Sequence, residues 1–563
     1  MKPICDPKYF LILLLTALSA CASSLAAGPS KPQVAKKKNI SFSEPKEKFN
    51  NVRKAPEGNP YYYYILAKLG AYEGNLEGAL YLVDKAIEQD THSAFLEEEK
   101  ARENVEANRI EQAMASAKRA VELDPKNQDA LLLLGKLYSA KKQSNEAMAQ
   151  YHQILKLNPK SEDAYLALAR EHVLRKEPDA AIGVILRMKK VIPDSIAGDY
   201  YLGSIYSGFK KNYPAAIVVF KQILQENPEE ARALQSLGQI YLEQNELAEA
   251  LKVYKALEKL VPEDIATQLR LGLLLYEMKN YSEATQRFKN ILEANPNSDR
   301  IQYYLGVVSQ VQQKDEEALQ YFQQVVPESS FYKEAVIRSV LILEDGKKIK
   351  EALDIVQQAV QKRSDITEFY DMMATLFTSL EYHDKAISIL KEAIQKYPKD
   401  EKLYFALGVV YEKQGDMENA IKIMKKILEM NPNHAPALNY IGYSYADQGV
   451  KLEEALSLLS KAYQLRPKDG YITDSLGWVY YKKGEINKAI YYLLKADELS
   501  PNESSILEHL GDAFYEKGSL KKAQVYYEKA LEALNNQPHK NQHEVDDLAR
   551  LKKKLSEKVG LRY

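Results

Sequence analysis

Across 563 residues, 77 Lys and Arg stand against 78 Asp and Glu, so no net field exists to gather a polyanion such as nucleic acid. A hydrophobic share of 45% suffices to bury a large core, but the only cysteines are Cys5 and Cys21, which excludes a disulfide framework or a cysteine metal site downstream. The aromatic load is 40 Tyr, 13 Phe and one Trp, a composition that suits packed helices and protein-binding surfaces alike.

Residues 1–21 carry a basic start (Lys2, Lys8), an apolar stretch from Tyr9 to Leu18, and then small residues, the layout of a secretory signal. The apolar run is roughly ten residues, about half of what a membrane-spanning helix needs, so removal is expected rather than a permanent span. Leu18-Ser19-Ala20-Cys21 resembles the lipobox of bacterial lipoproteins. That resemblance implies a diacylated Cys21 (palmitate-type chains) as the first mature residue and an anchor on the periplasmic face of a membrane. With Ala22 next, the outer membrane is implied. Two or three acyl chains, at about 0.8 kcal/mol per buried methylene, would hold the chain stably. Cleavage near Ser24-Leu25-Ala26, giving a soluble periplasmic protein, is the alternative reading. Residues 22–59, rich in Lys, Ser, Pro and Asn, read as a flexible tether with a reach of about 35 Å.

Beyond the tether one unit repeats. Ala79, Ala113, Ala147, Ala181, Ala216, Ala250, Ala284, Ala318, Ala352, Ala386, Ala420, Ala455, Ala489 and Ala523 are spaced by 34 residues, with two steps of 35. Twelve or thirteen residues before all but one of these alanines stands another small residue, such as Gly135, Gly238, Gly306, Gly408 or Gly511, usually followed by an aromatic three later. Twelve after most of the alanines comes a proline, which lacks the amide needed to continue a helix and biases its predecessor away from helical geometry. Each unit therefore reads as helix, turn, helix.

This pattern resembles the tetratricopeptide repeat (TPR) over residues 60–537. The resemblance implies an all-α, right-handed superhelical solenoid of about fourteen repeats, with first helices lining a concave groove. Since each hairpin leaves an apolar face that only a neighbour can cover, both ends need caps. Residues 538–563 hold the candidate carboxy-terminal cap, with Leu548, Leu551 and Leu555 at helical spacing, and Tyr61 to Tyr64 open the first hairpin. Pro327 arrives three residues early, Val340 sits where Gly or Ala stands elsewhere, and no proline closes that unit near Ser364, so a looser joint is expected between about 327 and 375. The two longer steps place one extra residue in the turns near Lys210 and Val450.

Positions three before, one after and four after the small residue share one helix face, which in the family looks into the groove. In the middle of the chain they give Leu269, Leu273, Tyr276, Tyr303, Val307, Ile337 and Leu341. These form either an apolar docking patch or packing between first helices. Near the carboxy end they give Asn439, Tyr443, Asp474, Trp478, Tyr481, Asp512 and Tyr515, a mixture of rigid aromatics and hydrogen-bonding groups expected of an interaction hot spot. Ordinary interhelix packing is the other reading there. The Lys, Arg and Asn set with which some family members clamp a terminal carboxylate is not found.

Asn439-Tyr-Ile-Gly-Tyr-Ser-Tyr-Ala-Asp447 and Ile472-Thr-Asp-Ser-Leu-Gly-Trp478 are similar to the carboxy-terminal half of outer-membrane TPR lipoproteins of proteobacteria. That resemblance implies an adaptor that recruits and activates a periplasmic carboxyl-terminal processing protease. The alternative is a structural or assembly subunit of an envelope export machine for polysaccharide, pilus or secreted protein. Eight scattered histidines, with only His539 and His543 paired in a polar tail, give no metal site. No phosphate loop or nucleophile elbow appears. The sequence thus reads as a non-enzyme without cofactor or small-molecule substrate, binding envelope proteins or peptide segments and touching the membrane through Cys21.

Overall fold

In the computed structural model the described residues are 59–536 and 542–559, and among them there is helix and turn but no strand. The signal, Cys21 and the tether as far as residue 58 lie outside them. Fourteen helical hairpins and one terminal helix make up the described chain, from Pro60–Tyr72 with Leu76–Gln89 to Ser504–Glu516 with Leu520–Asn535, then Gln542–Val559. They form two compact units, one ending at Ile291 and the other beginning at Leu292, the boundary falling inside the helix Tyr281–Ala294.

Within each unit the second helix of one hairpin packs on the first helix of the next, as stacking of incomplete cores requires. All fourteen spacing alanines are fully buried. The small residue of the first helix makes room for a large side chain of the second, four residues beyond the alanine. A Cβ built on Gly272 would lie 2.5 Å from Phe288, on Gly306 2.5 Å from Phe322, on Gly408 2.5 Å from Met424, and on Gly511 2.5 Å from Tyr527. The missing side chain on the first helix is therefore the socket for a ring or long chain on the second. Where the socket position holds Val340, the equivalent knob is Val356, and both are buried, so volume is conserved across the pair as close packing demands.

The aromatic three after the small residue has its own partner. Lys118, Lys221, Lys391 and Lys425 place their ammonium groups 5.7, 5.8, 5.6 and 5.9 Å from the rings of Tyr138, Tyr241, Tyr411 and Tyr445. In each case the lysine belongs to the preceding hairpin, 20 residues upstream. Such contacts contribute about 0.5–1 kcal/mol apiece at exposed sites.

Second helices end at the residue two before the proline, and the intervening residue is extended, as at Asp124 (φ −134°, ψ 93°). Proline is not indispensable, because the helix Ile349–Lys362 stops at the same place before Ser364. First helices end in a left-handed residue. Gly74, Gly415, Gly484 and Gly518 adopt it freely, whereas Lys142, Lys176, Lys279 and Glu381 hold φ of 59°, 61°, 61° and 63°. A non-glycine there costs about 1–2 kcal/mol, offset in part by glycine's larger unfolded entropy of about 0.5–1 kcal/mol. Lys279→Gly should therefore raise stability by up to about 1 kcal/mol, seen as a higher unfolding midpoint in urea.

The extra residues of the two longer repeats lie in the turns Phe209–Asn212 and Gln448–Lys451, and the flanking helices keep their ordinary lengths. The joint after Pro327 differs from the expected looseness. The second helix there is cut to Asp315–Gln323, 9 residues, but aromatic groups replace the lost turn. Val325, Tyr332, Phe369 and Tyr370 are buried, Phe331 lies 5.1 Å from Tyr303, and Arg363 Nη1 donates to the Pro327 carbonyl at 2.7 Å.

Candidate protein-binding face

The carboxy-terminal residues singled out in the sequence divide into three settings. The first helices Ala435–Asp447 and Gly470–Lys482 pack directly on each other, and that contact withdraws Trp478 to 7% exposure. Its indole is stacked on Tyr481 (centroids 4.7 Å apart, 9° between planes) and on His509 (4.0 Å, 17°). Its Nε1–H donates to Asp447 Oδ1 at 3.3 Å. Asp474, also buried, sits 2.9 Å from His509 Nδ1. Burial of the imidazole opposes its charge, but Asp474, Glu508 and Asp512 outweigh that and raise His509 above its ordinary value. Burial also pushes the Tyr481 hydroxyl up to about 12, aided by Asp512 and Glu516.

Asp512 is covered by the terminal helix. Lys554 Nζ reaches Asp512 Oδ2 at 2.6 Å and Glu508 Oε1 at 2.7 Å, while Arg550 grips Glu508 with two bonds of 3.0 and 2.8 Å. Burial alone would raise the Glu508 carboxyl, but Arg550 and Lys554 hold it below the usual range. Tyr527, the knob of the last hairpin, donates to Asp512 Oδ1 at 2.6 Å. With Leu551 and Leu555 fully buried against the same core, and Tyr515 half-buried beside it, this end of the second unit is closed.

Asn439 and Tyr443 belong to a third setting, an open cleft of about 350 Å³ formed by the first helices Glu401–Lys413, Ala435–Asp447 and the start of Gly470–Lys482. Phe405, Tyr440 and Tyr471 join Tyr443 in its wall, and Glu412 and Asp447 supply carboxylates. Sequence reading passed over Phe405 and Glu412, yet the same offsets applied to Gly408 reach both. Tyr440 and Tyr471 fall off that stripe and were not accessible to it.

The middle stripe is mostly interior. In the first unit Leu273 is buried, and Leu269 and Tyr276 are half-buried; in the second, Tyr303 and Val307 are buried and Ile337 half-buried. Leu341, at 41% exposure, is its one exposed member.

Two family models described as tetratricopeptide repeat match the chain, one over residues 104–154 and 210–271 and the other over 263–536. Together with the repeating hairpins, these matches place the chain in the tetratricopeptide-repeat family, an all-α solenoid that serves as a scaffold for protein–protein interaction. A TPR repeat-containing protein of Pseudomonas aeruginosa is 43% identical over 56 residues, so the chain spans only 10% of that curated relative, and 10% of itself is matched. Among solved structures, yeast Tom70 shares 14% identity over 82% of this chain and 96% of its own, with a TM-score of 0.32. A tetratricopeptide repeat protein from Parabacteroides merdae shares 16% identity over 44% of this chain and 98% of its own, with a TM-score of 0.33.

Proposed function

We propose that this chain is an adaptor of the bacterial envelope, held through a lipid on Cys21 at the periplasmic face of the outer membrane. There it gathers a partner protein, a processing protease by the sequence resemblance, on the first-helix side of its hairpins. The observation that carries the binding role is the open cleft flanked by Asn439 and Tyr443, an aromatic and hydrogen-bonding surface left uncovered while the stripe residues beside it are packed away. Interaction hot spots concentrate such aromatic groups at well-packed pockets. The lipobox-like Leu18–Cys21 supports the anchor.

The chain with its native amino terminus, extracted from membranes and purified, should bring a periplasmic protease with it, identifiable by mass spectrometry. Recovery of an export channel in its place would transfer the assignment to the export-machine reading. Recovery from the soluble fraction, with unmodified Cys21, would remove the anchor.

A further inference from the structure

The cleft has a polarity of its own. None of its lining residues carries a positive charge, although the chain as a whole has 77 Lys and Arg. Of its three carboxylates, two are engaged. Asp469 caps its helix by accepting from the Tyr471 and Ile472 amides, and Asp447 accepts from the Trp478 indole with Lys482 Nζ 3.9 Å away. Glu412, exposed on the rim, is in no ion pair among the described residues. In the same lining the Asn439 Oδ1 is buried without a hydrogen-bond donor, an expensive state for an acceptor unless a ligand supplies one. The rings of Phe405, Tyr440 and Tyr443 line the same cleft as these two acceptors.

Acceptors and aromatic faces together, with no cation in the lining itself, Lys482 already held on Asp447 and Lys413 neighbouring Glu412 on its own helix, are complementary to a further positively charged side chain. A guanidinium matches better than an ammonium. It is planar, stacks on aromatic rings, and offers five N–H donors in a fixed fork that can serve acceptors on different helices at once. The cleft is open rather than enclosed, so a polypeptide can run across it.

We propose that the cleft takes the side chain of an arginine carried on an extended segment of the partner protein, with the guanidinium between Glu412 and Asn439 Oδ1 and its stem against Phe405, Tyr440 and Tyr443. This inference rests on the scaffold reading above and names the chemistry of its partner.

Ten-residue peptides selected from a random display library on the full chain should share a basic position, and free peptides made from them provide the probe. Replacing the arginine by citrulline, which keeps the shape and removes the charge, should weaken binding at least tenfold. Lysine should fall between. Glu412→Gln, a substitution at an exposed site, should abolish the difference between arginine and citrulline while leaving the unfolding midpoint unchanged.

Peptides that bind without any basic residue, or an arginine-to-citrulline exchange that is silent, would overturn the cation assignment and leave the scaffold reading standing. So would a library that yields no binder while the intact chain still copurifies with a protein. Competition by agmatine as strong as by the peptides would overturn the polypeptide as the source of the guanidinium.

Discussion

Gly306→Val is expected to destabilise the second unit by about 2–3 kcal/mol, because the new side chain enters the space of Phe322, which lies 2.5 Å from where even a Cβ would stand. Phe322→Val alone leaves a cavity and should cost about 2 kcal/mol. The double variant reproduces the Val340 and Val356 pairing of the next hairpin, so its loss should fall short of the sum of the singles by about 2 kcal/mol. Urea unfolding of the four proteins measures that coupling, with hydrogen exchange in the helix Asp299–Val311 as its local readout. Additive losses would mean that socket and knob do not act as one packing unit.

A comparable loss is expected at the other end of the second unit. Trp478→Ala should cost about 4 kcal/mol, the usual scale for emptying a buried tryptophan site, since it removes two ring stacks and the indole bond to Asp447. An unchanged unfolding midpoint would contradict the buried placement.

The His509–Asp474 pair beneath the indole adds a pH signature. His509 is raised above its ordinary value near 6.5. The stabilisation it gives is therefore fully present below about pH 6.5 and is lost as pH rises through the higher folded-state value. The groups facing it are Asp474 from the preceding first helix, Glu508 and Asp512 on its own helix, and Lys554 and Arg550 bound to those two. His509→Gln should lose about 3 kcal/mol at pH 6, as expected for breaking a buried pair, and progressively less at alkaline pH. A difference that grows with pH would reverse the assignment.

The alanine spacing made the hairpins legible because one small residue per second helix is required wherever two helix axes approach. The shape pairing of Gly306 with Phe322, or of Val340 with Val356, was harder to see. It couples positions on different helices that vary together while each looks unremarkable alone. Pro327 misled for a related reason: it stops the helix, but Phe331 and Tyr332 refill the space, and no local rule counts aromatics in the following turn.

At the face itself, periodicity placed Asn439, Tyr443, Asp474 and Trp478 on one stripe but could not say which of them neighbouring helices cover. That depends on how closely Ala435–Asp447 and Gly470–Lys482 approach each other. His509, off the stripe, entered only through the stacking. The terminal helix was visible as Leu551 and Leu555, whereas its grip on Glu508 through Arg550 was hidden in a run of charges.

A photo-cross-linking residue placed at Glu412, on the rim of the cleft, and in a second protein at Val218, 66% exposed on a second helix, tests the binding face inside the living cell. A discrete covalent partner from Glu412 and none from Val218 is the expected result. Equal adducts from both sites, or a partner from Val218 alone, would contradict a scaffold that binds through the cleft of its first helices.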